Sequence, residues 1–201
     1  MGFLSHMFHM NATTACILSN MAIGVVMGVV ATHALPCVYL ASRKKKQVKV
    51  GDKLPATVLY EGAPDTTVTL TDLCKGKKVV IVGVPGAFTP TCSKTHLPGF
   101  AADSAALKAK GVDEIVCVSV NDPFVMQAWG QAIGGDVRYL ADMKGELAAE
   151  LGLVLDATGK LGNKRNVRFA LVAEDGVVTV VKIEEGGALT CSKSSDLLAV
   201  L

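Results

Sequence analysis

Between residues 83 and 100 the chain reads GVPGAFTPTCSKTHLPGF, with Cys92 three residues after Thr89 and seven after Pro85. No second cysteine stands in this stretch, so the chemistry it offers is that of a single sulfur nucleophile. The run KKVVIVGV (77–84) before it reads as a central strand buried on both faces, and TCSKTHLPGFAADSAALKAKG after it reads as a helix. Cys92 therefore falls where strand hands over to helix, and the free backbone N–H groups of a helix start favour a thiolate there. Thr89 can offer its hydroxyl to the sulfur or to an oxygen bonded to it, while Pro85 and Pro90 stiffen the loop and remove two N–H donors. The competing reading is a small buried hydrophobe, as most free cysteines are. A Pro/Thr loop at the end of a central strand, where α/β sheets place their sites, favours the reactive role.

The elements that must hold this loop follow from the alternation of patterns. TVTLTDL (67–73) reads as a strand; Thr91 can cap the helix that carries Cys92, and Pro98 marks a kink or break in it. DEIVCVSV (113–120) is a second buried strand. NDPFVMQAWGQAIGG follows as a helix with Asn121 and Asp122 at its cap and Pro123 in its first turn. DVRYLAD is a short strand and GELAAELGL a helix; VRFALVAEDGVVTVVKIEE is a hairpin turning at Glu174-Asp175-Gly176, and SSDLLAVL is a closing helix. Alternating β and α units followed by a hairpin and a terminal helix predict an α/β fold of thioredoxin-like architecture, a central mixed sheet with helices on both faces. No internal repeat appears.

Half of the 201 residues are hydrophobic, enough for one domain with a sizeable core plus an extension. The net charge of +2 conceals an asymmetry: residues 1–51 carry Arg43, Lys44, Lys45, Lys46 and Lys49 and no acid, leaving the remainder at −3. A mildly acidic domain without interleaved basic and aromatic residues carries no electrostatic footprint for nucleic acid. Six cysteines without regular CxxC spacing read as thiols of a reducing compartment, not as a disulfide framework or zinc module.

The chain divides into an N-terminal segment, 1–47, and a domain, 48–201. The unbroken apolar part of the segment, Met21 to Ala31, is shorter than the roughly 20 residues that span a bilayer, and no Lys or Arg precedes Arg43 as a secretory signal requires. Acid-free, Ser/Thr-containing and followed by RKKK, it reads as an organelle-targeting presequence, for the mitochondrion first and the plastid as an alternative. A signal anchor with its basic flank on the cytosolic side is the competing reading, in which a membrane is touched only through this segment. His6 stands where N-myristoylation wants Ser or Thr.

The string PGAFTPTCSKTHLPGF resembles the active-site stretch of the peroxiredoxins, whose Pro-x-x-x-Thr-x-x-Cys signature is matched by Pro85, Thr89 and Cys92. The longer string is similar to the type II, or atypical two-cysteine, subfamily. The likeness continues through VCVSVNDPFVMQAWG (116–130), VRFALVAEDGVV (167–178) and GGALTCS (186–192), covering nearly everything after residue 50. The resemblance implies a thiol peroxidase in which Cys92 attacks a hydroperoxide and becomes a sulfenic acid, with no metal or organic cofactor. It also implies recharging by thioredoxin or by glutaredoxin with glutathione, and a homodimer. The family's active-site arginine matches Arg168 in VRFAL. The rival class is a thioredoxin-like redox sensor or binding module with little turnover.

Two cysteines compete for the resolving role in that family pattern. Cys191 in LTCS resembles the position used by animal members, and Cys117 in IVCVSV the one discussed for plant members. Cys117 lies in a buried run and reads as an inert core thiol, so Cys191, between a Gly-rich turn and the last helix, is preferred. Cys74 is incidental, and Cys16 and Cys37 belong to the N-terminal segment. His96, four residues after Cys92, lacks further ligands at metal spacing and reads as structural or weakly electrostatic. Arg165 reads as surface charge, and Trp129 as packing or subunit interface.

Overall fold

The computed structural model describes residues 46–201; the expected targeting or anchor segment lies outside the described residues apart from its last two positions. In chain order the elements are β1 (Val58–Tyr60), β2 (Thr67–Thr69), α1 (Leu70–Cys74), β3 (Lys78–Gly83), a π-helical turn (Cys92–His96), α2 (Leu97–Ala102), α3 (Ser104–Ala109), β4 (Glu114–Ser119) and α4 (Pro123–Ile133). They continue with β5 (Arg138–Ala141), α5 (Glu146–Glu150), β6 (Val154–Asp156), α6 (Thr158–Leu161), β7 (Lys164–Asn166), β8 (Phe169–Glu174), β9 (Val177–Ile183) and α7 (Ser194–Leu198).

Seven strands form one mixed sheet in the order β2-β1-β5-β4-β3-β8-β9, and β6 pairs with β7 in a separate ribbon. At its centre β3 runs parallel to β4 and antiparallel to β8. The β-branched residues of β3 alternate between two faces. Val79 and Ile81 enter one core with Leu70 and Leu73 of α1 and Leu147 of α5. Val80 and Val82 enter the other with Phe100 of α2, Leu107 of α3, Trp129 of α4 and Leu197 of α7. Helices thus cover both faces, as the alternation of β and α patterns predicts. The hairpin turns where expected, with Asp175 and Gly176 both at positive φ (47° and 76°), the geometry of a two-residue loop between twisted strands.

Three local expectations are corrected. TVTLTDL is a strand only to Thr69, because Leu70, Leu73 and Cys74 recur at helical spacing and bury together as α1. Thr91 does not cap the Cys92 helix: it is itself helical, and Ser93 N–H already donates to Thr89 O at 2.9 Å, Pro90 being suited to a first turn. Nor does the helix break at Pro98, one of the two outcomes expected there, a kink being the other. The Leu97 N–H reaches back to Cys92 O in a widened π turn, which makes room for the proline ring, and the chain stays helical to Ala102. The cap of α4 is as expected, with Asp122 Oδ1 accepting from Val125 N–H at 2.9 Å. Among the described residues no helix is long and apolar enough to cross a membrane.

Candidate active site

The sheet brings the site together at one end. Gly83, the last residue of β3, pairs with Val118 on β4 and with Phe169 on β8. The loop that leaves β3 toward Cys92 therefore starts beside Arg168, the residue before β8. Gly83 must be glycine: a Cβ there would lie 2.0 Å from the Phe169 ring. The loop is then tied at several points. Val84 N–H donates to Val118 O at 3.1 Å, Ala87 N–H to Asn121 Oδ1 at 3.0 Å, and Thr89 Oγ1–H to Gly86 O at 2.9 Å. Phe88 between them is held in the left-handed region (φ 57°) and is exposed.

Cys92 is fully buried, and its sulfur lies 3.3 Å from Nη1 of Arg168, itself buried. The same Nη1 is 3.1 Å from His96 Nδ1, and Arg168 Nε donates to Ala188 O at 3.0 Å. A guanidinium has only donors, so His96 Nδ1 is an acceptor and the ring carries its proton on Nε2, which donates to Ser192 O at 2.8 Å. A protonated ring would set N–H against N–H. Burial, reinforced by the Arg168 charge and opposed by the Ser192 carbonyl, lowers His96 from 6.5 to about 4. His96, read from the sequence as structural or weakly electrostatic, thus bonds directly to the arginine that touches Cys92. The signal that pointed to it was its i+4 relation to Cys92.

The loop carrying Cys191 is held by one carboxylate. Buried Glu184 accepts from the backbone N–H groups of Thr190, Cys191 and Ser192 at 2.8, 2.8 and 2.9 Å, and from the hydroxyls of Thr190 and Ser192 at 2.7 and 2.8 Å. Burial alone would raise its pKa, but these bonds outweigh it and hold the carboxyl at about 2. The Cys191 thiol is half-buried, 3.5 Å from Ile183 O, and is pushed up by burial and by the Glu184 charge. Cys117, central in β4 and paired with Val82 and Tyr139, is pushed well up by burial and then by Cys92. Cys74 is raised to about 11 by burial and Glu114. All four described cysteines are free thiols.

The sequence-derived residues separate into those the structure joins and those it does not. Cys92 and Arg168 touch. Thr89 stands one turn before Cys92, with its proton committed to the Gly86 carbonyl and not to the sulfur, and Pro85 opens the same loop. Cys191 makes no direct hydrogen bond to Cys92 and is linked to it through the chain Glu184, Ser192, His96 and Arg168. Trp129 is buried and donates to Ser93 Oγ at 3.0 Å, so it is packing. Arg165 is not free surface charge: its guanidinium donates to Val120 O at 2.8 Å and Leu161 O at 3.2 Å, because β7 lies against the end of β4.

Residues 49–201 match the Redoxin family. Over 163 residues the chain is 47% identical to peroxiredoxin-2E, chloroplastic, of Arabidopsis thaliana, spanning 77% of this chain and 69% of that protein. Over 171 residues it is 49% identical to peroxiredoxin-2E-2, chloroplastic, of Oryza sativa subsp. japonica, spanning 80% and 76%. Its fold matches that of reduced Prx3 from Vibrio vulnificus in complex with hydrogen peroxide at a TM-score of 0.74 and 41% identity, covering 77% of this chain and 99% of that one. The chain thus belongs to the redoxin family, among the type II peroxiredoxins of thioredoxin fold, and is a thiol-dependent peroxidase of antioxidant defence.

Proposed function

We propose that Cys92 is the thiol that meets the peroxide, with Arg168, Thr89 and Pro85 shaping its surroundings. The observation that carries this reading is the 3.3 Å separation between Arg168 Nη1 and the Cys92 sulfur. The sulfur's electron pair attacks the terminal oxygen of the hydroperoxide and the O–O bond breaks. The departing oxygen takes a proton and leaves as water or alcohol, and a sulfenic acid remains: sulfur loses two electrons and the peroxide gains them. Arg168 stabilises the negative charge first on sulfur and then on the leaving oxygen. Because Thr89 gives its own proton to Gly86 O, its oxygen is free to accept the proton of the bound hydroperoxide.

Cys191 then attacks the sulfenic sulfur, expels water and forms a disulfide, which thioredoxin reduces; direct attack by glutathione with glutaredoxin is the alternative route. The disulfide requires the two Cα atoms to come within roughly 7 Å; if they rest farther apart, either the Cys92 helix unwinds locally or the Cys191 loop leaves Glu184. Peroxide consumption with each reductant tests the whole reading. Cys92→Ser should abolish turnover with little loss of fold, since Ser is nearly isosteric and un-ionised near neutral pH. Activity near wild type in that variant removes Cys92 from the role, and failure of the wild-type protein to turn over with any of these reductants leaves a redox sensor in place of a peroxidase.

For the N-terminal segment, the plastid is the better-supported destination, since two relatives are named chloroplastic and neither supports the mitochondrial expectation. Residues 1–47 are then a presequence removed from the 48–201 domain, and mass spectrometry of the mature protein reads the cut. The homodimer belongs to the same proposal, and sedimentation velocity of the reduced protein tests it.

A further inference from the structure

Arg165 has no part in the chemistry just described, yet it is tied into the structure from several directions. It lies on β7, whose backbone pairs only with β6. Its side chain leaves that ribbon, and Nη1 donates to Val120 O at 2.8 Å and lies 3.3 Å from Asn121 Oδ1, while Nη2 donates to Leu161 O. The same Asn121 oxygen accepts the Ala87 N–H of the Cys92 loop at 3.0 Å and the Ser119 hydroxyl at 2.8 Å. Ala87 N–H and the guanidinium can only donate, which fixes the oxygen on that side of the amide.

The guanidinium also packs over the turn itself. A Cβ on Gly86 would stand 3.1 Å from Thr89 Cγ2 and 3.5 Å from Arg165 Nη1, so Gly86 is enclosed between the two. Beyond it Phe88 occupies a left-handed conformation that is sterically unfavourable for a bulky residue. That conformation persists because both flanks are tied, Ala87 to Asn121 and Thr89 to Gly86. Thr89 O in turn accepts Ser93 N–H at 2.9 Å and so starts the turn that carries Cys92.

We infer that Arg165 and Asn121 are a pair of positioning residues for peroxide reduction, holding the 86–89 loop so that Thr89 and Cys92 face one peroxide together. Neither touches the reacting atoms. The inference rests on the assignment of Cys92 and Thr89 above. Release of the tether lets Phe88 relax and moves Thr89 relative to the sulfur; the thiol itself keeps its Arg168 contact. Peroxide attack, which needs both groups aligned, suffers, whereas alkylation by iodoacetamide, which needs only the sulfur, does not.

The experiment compares those two rates at one pH in the full chain. Arg165→Met should slow peroxide oxidation of Cys92 on the order of 10- to 100-fold, the scale of a misplaced reacting group, with alkylation unchanged or faster. Arg165→Lys, which keeps a charge and fewer donors, should recover part of the loss. Asn121→Ala should reproduce it, and the double variant should be no slower than the worse single one, since both act through the same loop. Should Arg165→Met melt below the assay temperature, Asn121→Ala and Arg165→Lys carry the test. A wild-type peroxide rate in these variants, an equal fall in both rates, or multiplying effects in the double variant overturns the inference. Failure of the underlying assignment looks different: Cys92→Ser would then keep its activity.

Discussion

His96 Nε2 stands 2.8 Å from the carbonyl oxygen of Ser192, while Nδ1 on the other side of the ring takes an N–H from Arg168. One neutral imidazole thereby joins the turn that carries Cys92 to the loop that carries Cys191. The arrangement holds only while the ring has a single proton, so it links the site to pH.

The folded protein protonates His96 only near 4, whereas an unfolded histidine takes its proton near 6.5. The unfolded state thus binds more protons between those values, and stability is lost as pH falls from about 6.5 through about 4. By pH 4 the loss reaches about 3 kcal/mol, at roughly 1.4 kcal/mol per unit. His96→Asn should lose that much less stability between pH 7 and pH 4 in denaturant titrations. Equal losses in both proteins would show that His96 is not the group responsible.

Arg168→Met keeps much of the apolar stem but removes the charge beside Cys92. Peroxide attack should slow roughly 10²–10³-fold, the scale of losing one preorganised donor. The Ala188 carbonyl and His96 Nδ1 lose their donor, which should cost about 1–3 kcal/mol of stability. Trp129, the single tryptophan of the chain and bonded to Ser93 beside Cys92, supplies a stopped-flow fluorescence signal. An unchanged second-order rate rules out the role given to Arg168.

Cys191→Ser should leave the first oxidation intact, lose most thioredoxin-linked turnover and keep any glutaredoxin-linked turnover. Cys117→Ala should keep all three, because its thiol is central in the sheet and held far from ionisation by burial. Full thioredoxin-linked activity in Cys191→Ser would transfer the resolving step to Cys117 or to thioredoxin itself.

Gly83→Ala probes the sheet beneath the site. The added methyl falls inside the Phe169 ring envelope, so ring or strand must shift at a cost on the order of 3 kcal/mol. Melting curves read it, and a change within about 0.5 kcal/mol, the range of an ordinary surface substitution, would contradict the packing described.

The parts of the fold that the sequence pattern disclosed are those whose order is local. VVIVGV and IVCV are unbroken apolar runs because both faces of β3 and β4 are covered, and Asp122 with Pro123 marks a helix start by its own chemistry. The stretch DATGKLGNKRN discloses no element because it has no hydrophobic period; β7 is placed by Arg165 reaching Val120 and Asn121, over forty residues away in sequence. In the site, Cys92 was legible from its loop and Arg168 only through the family pattern. Glu184 was not: an acid after a strand looks like any surface residue until the three residues that bond it fold back upon it.

That fold-back sets how the Cys191 loop can move. Five hydrogen bonds from Thr190, Cys191 and Ser192 converge on the one Glu184 carboxylate, four of them on a single oxygen. Bonds that share an acceptor are not surrendered in series along the chain, as a strand peels from a sheet. The segment is expected to move as a bolt in a socket, seated or withdrawn as one unit. Amide protons of residues 190–192 should accordingly share one protection factor, and oxidation to the Cys92–Cys191 disulfide should release all three at once.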